Sequence, residues 1–267
     1  VSAVAVITGA ASGIGAGLAR VAKARGMHLV LADVSAEPLQ ALARELGGVT
    51  AVVTDVADAA SVEALAERAY AEFGQVDLLF NNAGVMAMGN SWEIDAQRWR
   101  RAIDINLFGV LHGIRSFVPR LLAAQRPARI VNTASVGGFL ASPLMAPYSA
   151  SKFAVVALSE SLRAEMELLE APVRVSLLAP GPVRTGIFGD PAGPDASAAT
   201  RGFAAQMVAM TEQFGITPDE LARRAFAGID DDRFWLIPQP EALDEGLRAR
   251  TDGILARRTP TLPWAVN

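Results

Sequence analysis

Tyr148 and Lys152 stand four residues apart in a stretch, 148–169, whose apolar residues return at helical spacing with no internal Gly or Pro, so their side chains share one helix face. A phenol beside an ammonium can give a proton to a carbonyl oxygen or take one from an alcohol. A free phenol, with a pKa of about 10, is a poor base near neutrality. An ammonium about 4–5 Å away contributes about 3–4 kcal/mol at an effective dielectric near 20, which would lower the phenol by roughly two or three pH units. Spacing alone fits a core tyrosine beside a surface lysine equally well. The pair gains meaning from its company.

That company begins with a glycine-rich turn, Thr8 to Gly15, between a Val/Ile-rich run and an amphipathic stretch. Gly9 permits a tight turn, Ser12 and Gly13 bring backbone close to a diphosphate, and Ile14 and Gly15 open a helix whose free N–H groups favour an anion. Asp33 closes the next apolar run, where a carboxylate accepts hydrogen bonds from adenosine ribose hydroxyls. It favours NAD over NADP, because the 2′-phosphate carries about −1.5 to −2 charge. One like-charge contact near 4 Å costs on the order of 1–4 kcal/mol. Val34 follows the aspartate and Ser12 precedes Gly13, so no cation compensates. Asp55 and Val56 follow a third run, and Asn81, Asn82, Ala83 and Gly84 a fourth. Strand ends use these residue types for turns, but beside the glycine turn they would line one edge where an adenine and a ribose lie.

The elements that must position these groups follow from periodicity. Runs rich in Val, Ile and Leu recur at Val4–Thr8, His28–Asp33, 49–54, 76–80, Ala128–Thr133, Val173–Leu178 and 233–237, separated by patterns such as Leu39, Leu42, Leu46 and Val62, Leu65, Ala69, Phe73. Strands alternating with amphipathic helices predict an α/β fold: a doubly wound, seven-stranded parallel sheet in three layers, with helices on both faces. Ligands bind outside the carboxyl ends of such strands. The 267 residues carry no long polar linker and suit one domain. Pro, Gly and Ala clusters at about 186–232 predict a substrate loop or lid, and 257–267 an irregular arm.

With 51% hydrophobic and 19% charged residues, the composition suits a sheet buried on both faces. A net charge of −4 without any block of like charge argues against nucleic acid and membrane-surface partners. There is no cysteine, and His28 and His112 are too few and too far apart to suggest a metal site. The apolar start has no preceding Lys or Arg and reads as a strand, not as a signal segment. No membrane span is expected, and a cytoplasmic location is.

The ordered set Thr8–Gly15, Asp55-Val56, Asn81 to Gly84, Asn106, Ser135, Tyr148, Lys152 and then Pro180, Gly181, Val183 and Thr185 resembles the short-chain dehydrogenase/reductase family. The resemblance implies a Rossmann-type fold and hydride transfer between a nicotinamide and an alcohol or carbonyl carbon. It assigns Tyr148 the proton transfer, Ser135 a hydrogen bond to the substrate oxygen, and Lys152 a second task on the nicotinamide ribose. Asn106 resembles the family's asparagine that holds a water linking the lysine to solvent. Pro180 to Thr185 resembles the segment against which the nicotinamide packs, with Thr185 reaching its carboxamide. Ala134 departs from relatives that carry a second serine. Pro238-Gln239-Pro240 replaces the Gly-rich finish of tetrameric relatives, so a homodimer through helices at 98–124 and 148–169 is expected ahead of a homotetramer.

Met86, Met88, Phe139, Leu140, Met145 and Phe188 flank these positions, and Phe203, Met207, Met210 and Phe214 recur at helical spacing in the lid segment. Methionine-rich linings adapt to irregular apolar shapes. The expected substrate is a bulky, aromatic or alicyclic, secondary alcohol or its ketone, with aryl-alcohol oxidation one instance. NADPH as reductant, or a dinucleotide-sensing protein without turnover, are the competing possibilities.

Overall fold

The computed structural model describes residues 2–189, 191–193 and 196–260. Its strands and helices alternate: β1 (Val4–Thr8), α1 (Gly13–Ala24), β2 (His28–Asp33), α2 (Ala36–Leu46), β3 (Thr50–Val53), α3 (Ala59–Phe73), β4 (Leu78–Asn81) and α4 (Ala96–Ile103). There follow a π turn at Asp104–Phe108, α5 (Gly109–Ala124), β5 (Ala128–Thr133), α6 (Ala146–Leu168), β6 (Val173–Leu178), α7 (Ala198–Phe214), α8 (Pro218–Asp230), β7 (Trp235–Leu236) and α9 (Asp244–Leu255). The strands form one parallel sheet in the order β3-β2-β1-β4-β5-β6-β7. The order reverses between β1 and β4, which opens a crevice there above the strands' carboxyl ends.

Alternation along the strands separates two apolar layers. Val6, Val30, Leu79 and Ile130 face α3, α5 and α6, where Leu65, Phe117 and Val155 bury. Ile7, Leu31, Phe80 and Val131 face α1, α2 and α8, where Leu18, Leu39 and Phe226 bury. Two joins need glycine. A Cβ on Gly15 would lie 2.0 Å from the Gly9 carbonyl oxygen, and one on Gly17 would lie 2.5 Å from that of Pro218, where α1 and α8 cross.

Three expectations need adjustment. The segment 186–232 is not a lid throughout: α8, capped by Thr217 and begun by Pro218, buries Leu221, Ala222, Ala225 and Phe226 as part of the scaffold. Among the described residues of this segment, the 3-10 turn Gly186–Phe188 and α7 stand over the crevice. The strand expected at 233–237 shrinks to Trp235–Leu236, which pair with the last two residues of β6, and Pro238, which has no N–H to donate, bars its extension. Of the arm anticipated at 257–267, residues 257–260 lack regular structure and the rest lie outside the described residues.

The helical stretch Ala96–Ala124 is, among the described residues, the one long and apolar enough to cross a membrane. It carries the fully buried Asn106, and its Val110, Ile114 and Phe117 belong to the core over the sheet.

Candidate active site

One cavity of about 960 Å³ runs along the carboxyl ends of the strands, lined by the β1–α1 turn, the ends of β2 to β6, the start of α6 and the face of α7. Its dimensions fall within the range of ligand and cofactor sites. The glycine turn forms one end. Gly9 and Gly13 hold positive φ of 64° and 51°, and a Cβ on Gly9 would lie 2.7 Å from the Cα of Ala83. Ser12 makes no side-chain cap on α1, so the first-turn N–H groups remain available at the cavity wall. These features fit a diphosphate. Across the cleft, a Cβ on Gly13 would lie 3.1 Å from the Thr185 methyl.

The neighbouring strand ends hold that turn in place. Thr8 Oγ1 accepts from the backbone N–H of Asn82 at 2.9 Å, while Asn82 Nδ2 donates to the Thr8 carbonyl at 3.0 Å. Asp33 accepts from the N–H groups of Ala11 at 3.0 Å and Ser35 at 2.9 Å, and still lines the cavity. Asp55 accepts from Ala57 N–H, and Val56 is clamped by Gly109, where a Cβ would come within 2.8 Å of its methyl. All seventeen residues expected around a cofactor, from Gly9 to Thr185, line this one cavity.

At the centre, α6 presents Tyr148 and Lys152, 7% and 3% exposed, beside Ser135 at the end of β5. Lys152 Nζ donates to the Thr133 carbonyl at 2.7 Å and lies 5.8 Å from the centroid of the Tyr148 ring. Ser135 Oγ accepts from Gly137 N–H at 3.1 Å. The next residue, Val136, donates its N–H to the Pro180 carbonyl at 2.9 Å, joining the serine turn to the segment 180–185. Asn106 does not line the cavity. It sits in the π turn with its carboxamide engaged by Val85 N–H and carbonyl and by Ser151 Oγ, which fixes the chain beyond Gly84. A Cβ on Gly84 would lie 3.3 Å from Asn106 Oδ1 and 3.5 Å from Lys152 Nζ, so glycine keeps this junction open.

The electrostatics differ from the sequence expectation. Burial pushes the Tyr148 phenol above its ordinary value, opposed only by its hydrogen bond with Ser135. The same burial pulls Lys152 from 10.5 down to about 8. Desolvation therefore sets the direction for both groups, and the lowering of the phenol expected from an ammonium one helical turn away does not hold here. A further positive charge in the cavity would favour the phenolate.

The apolar wall around Tyr148 gathers Met86, Met88, Met145, Ile187, Phe188, Phe203 and Met207, with Met210 also facing the cavity. Five of the chain's seven methionines thus meet here. Met86, Leu140, Met145, Phe188 and Met207 line the cavity itself; Met88 and Phe203 pack behind them. Phe139 departs from expectation, since its ring packs edge-on to Trp235 at 5.8 Å and belongs to the main core. Phe214, at the end of α7, is 65% exposed and closes nothing. Sequence reasoning missed Arg98, Arg101, Ser142 and Thr211. The signal for the arginines was their place on α4, two turns and just over one turn ahead of Asn106. Arg98 also donates to the Pro191 carbonyl at 2.6 Å, which accepts Met88 N–H at 2.8 Å as well.

A doubly wound sheet with this cleft and this tyrosine–lysine–serine cluster has close counterparts. The short chain dehydrogenase family model matches residues 3–192, and the chain belongs to that family, as an oxidoreductase that uses a nucleotide cofactor. It is 38% identical to 1-deoxy-11-beta-hydroxypentalenate dehydrogenase of Streptomyces avermitilis over 245 residues, 89% of this chain and 85% of that protein. It is 35% identical to C alpha-dehydrogenase of a Sphingobium species over 267 residues, 96% of this chain and 87% of that one. Among solved structures, a short chain dehydrogenase/reductase from Burkholderia phymatum in complex with NAD superimposes with a TM-score of 0.94 at 38% identity, covering 99% of this chain and 98% of its own.

Proposed function

We propose that this chain is one catalytic domain that transfers a hydride between NAD(H) and a bulky, apolar secondary alcohol or its ketone. The observation that carries this is the convergence of Tyr148, Lys152 and Ser135 on one methionine-lined cavity whose other end is a glycine cradle. In the oxidising direction Tyr148 takes the alcohol proton while Ser135 holds the same oxygen, and Lys152 anchors the nicotinamide ribose. The nicotinamide supplies the hydride acceptor and, when oxidised, a positive charge that offsets the desolvation of the phenolate. Both named relatives are dehydrogenases, one of a hydroxylated pentalenate. A panel spanning aryl and alicyclic secondary alcohols and small hydroxy acids, followed by nicotinamide absorbance, tests the reading. Higher kcat/KM on the small hydroxy acids would overturn the substrate class.

NAD is assigned over NADP because Asp33 lines the cavity with uncharged Val34 and Ser35 beside it. Replacing Asp33 with alanine should raise kcat/KM for NADP and lower it for NAD, each by about tenfold, a change of about 1.4 kcal/mol. Unchanged preference in Asp33→Ala would remove this residue from cofactor choice. We assign homodimeric pairing to the long helices, because only 39% of the most apolar window of Ala96–Ala124 is buried within one chain.

A further inference from the structure

Gln239 lies between Pro238 and Pro240 just after β7, outside every motif the proposed chemistry uses, yet it is only 3% exposed. Its Nε2 donates to the Pro182 carbonyl at 2.9 Å. A carbonyl can only accept, so the amide orientation follows: Oε1 turns toward Gly181, where a glycine Cβ would lie 3.2 Å from it. That oxygen is buried and, among the described residues, has no donor. Leucine or methionine would fill the same space without burying an unpaired acceptor. The amide therefore contributes through its N–H, and the contribution is to hold the Pro182 peptide.

The residue is itself braced. Arg224 Nη1 donates to the Pro238 carbonyl at 2.8 Å, and Ala242 N–H closes a turn onto the Gln239 carbonyl at 3.0 Å. Beyond the tie stands the cavity wall made by Pro180, Gly181 and Pro182. A Cβ on Gly181 would lie 3.0 Å from that of Ala242, so the wall rests directly on this C-terminal turn. The Pro182 carbonyl also receives Ile216 N–H, at a longer 3.2 Å, from the linker between α7 and α8. We infer that Gln239 is a positioning residue that fixes the wall at 180–182 against which the nicotinamide ring packs. The inference rests on the cofactor reading above.

NAD and ADP-ribose share every group except the nicotinamide, so their dissociation constants separate this role from general loosening. Gln239→Leu and the more adaptable Gln239→Met should weaken NAD about fivefold, the value of one net hydrogen bond, while leaving ADP-ribose within about twofold. The measurement is fluorescence titration of each folded variant against wild type, with thermal melting to confirm that it is folded. Equal weakening of both ligands, or of neither, in the folded variants overturns the positioning role. Wild-type protein that binds neither ligand sinks the cofactor reading itself, and the inference with it.

Discussion

Replacing Tyr148 with phenylalanine is expected to lower kcat by about a thousandfold while NAD affinity stays within about twofold. The substitution deletes one oxygen and nothing else. The ring remains packed among Met88, Met145 and Ala204, so no cavity opens and α6 keeps its position. What is lost is the phenol hydroxyl and, on the proposed chemistry, the route by which a proton would enter or leave the reacting oxygen. Ser135 can still hold that oxygen but has no means of accepting its proton at neutral pH. Steady-state kinetics beside a cofactor titration check both halves. Turnover within tenfold of wild type would remove the phenol from the chemistry.

Lys152→Met should damage both halves at once, lowering kcat about a hundredfold and raising KM for NAD about tenfold. Methionine keeps the volume of the stem but leaves the Thr133 carbonyl without the 2.7 Å donor it has now. A separate signature lies in the pH dependence of stability without cofactor. Because burial lowers Lys152 from 10.5 to about 8, the unfolded chain binds a proton across that window that the folded chain does not. Wild-type stability should therefore gain about 3 kcal/mol between pH 8 and 10.5 from this group. Below pH 8 the amine is charged in both states and contributes no slope. Denaturant midpoints of wild type and Lys152→Met across this range give the contribution by difference. Parallel pH profiles would show that the amine titrates normally.

The chain announced its scaffold more clearly than its energetics. Val4–Thr8, His28–Asp33, Ala128–Thr133 and Val173–Leu178 end where their apolar runs end, because all four are interior strands paired on both sides. β3 and β7 lie at the sheet edges, where pairing on one side only holds the ladder, and both are shorter than their runs. α9 escaped notice because none of its residues is buried, which leaves no apolar stripe to read. Phe139 was misplaced for a different reason. It follows a 3-10 turn, where neither helical nor strand periodicity tells which way a side chain faces. The spacing of Tyr148 and Lys152 correctly put them on one helix face, but the phenol is buried by Met86, Met88 and α7, which are remote in sequence.

The bond from Val136 N–H to the Pro180 carbonyl has a consequence for how two reactants meet. It fastens the serine that would hold the alcohol oxygen to the wall that would support the nicotinamide, so substrate and cofactor would be registered against one hydrogen-bonded unit. A displacement of that unit would carry both partners together. In the proposed hydride transfer, the two reacting carbons would then keep their register even if the covering helix shifted.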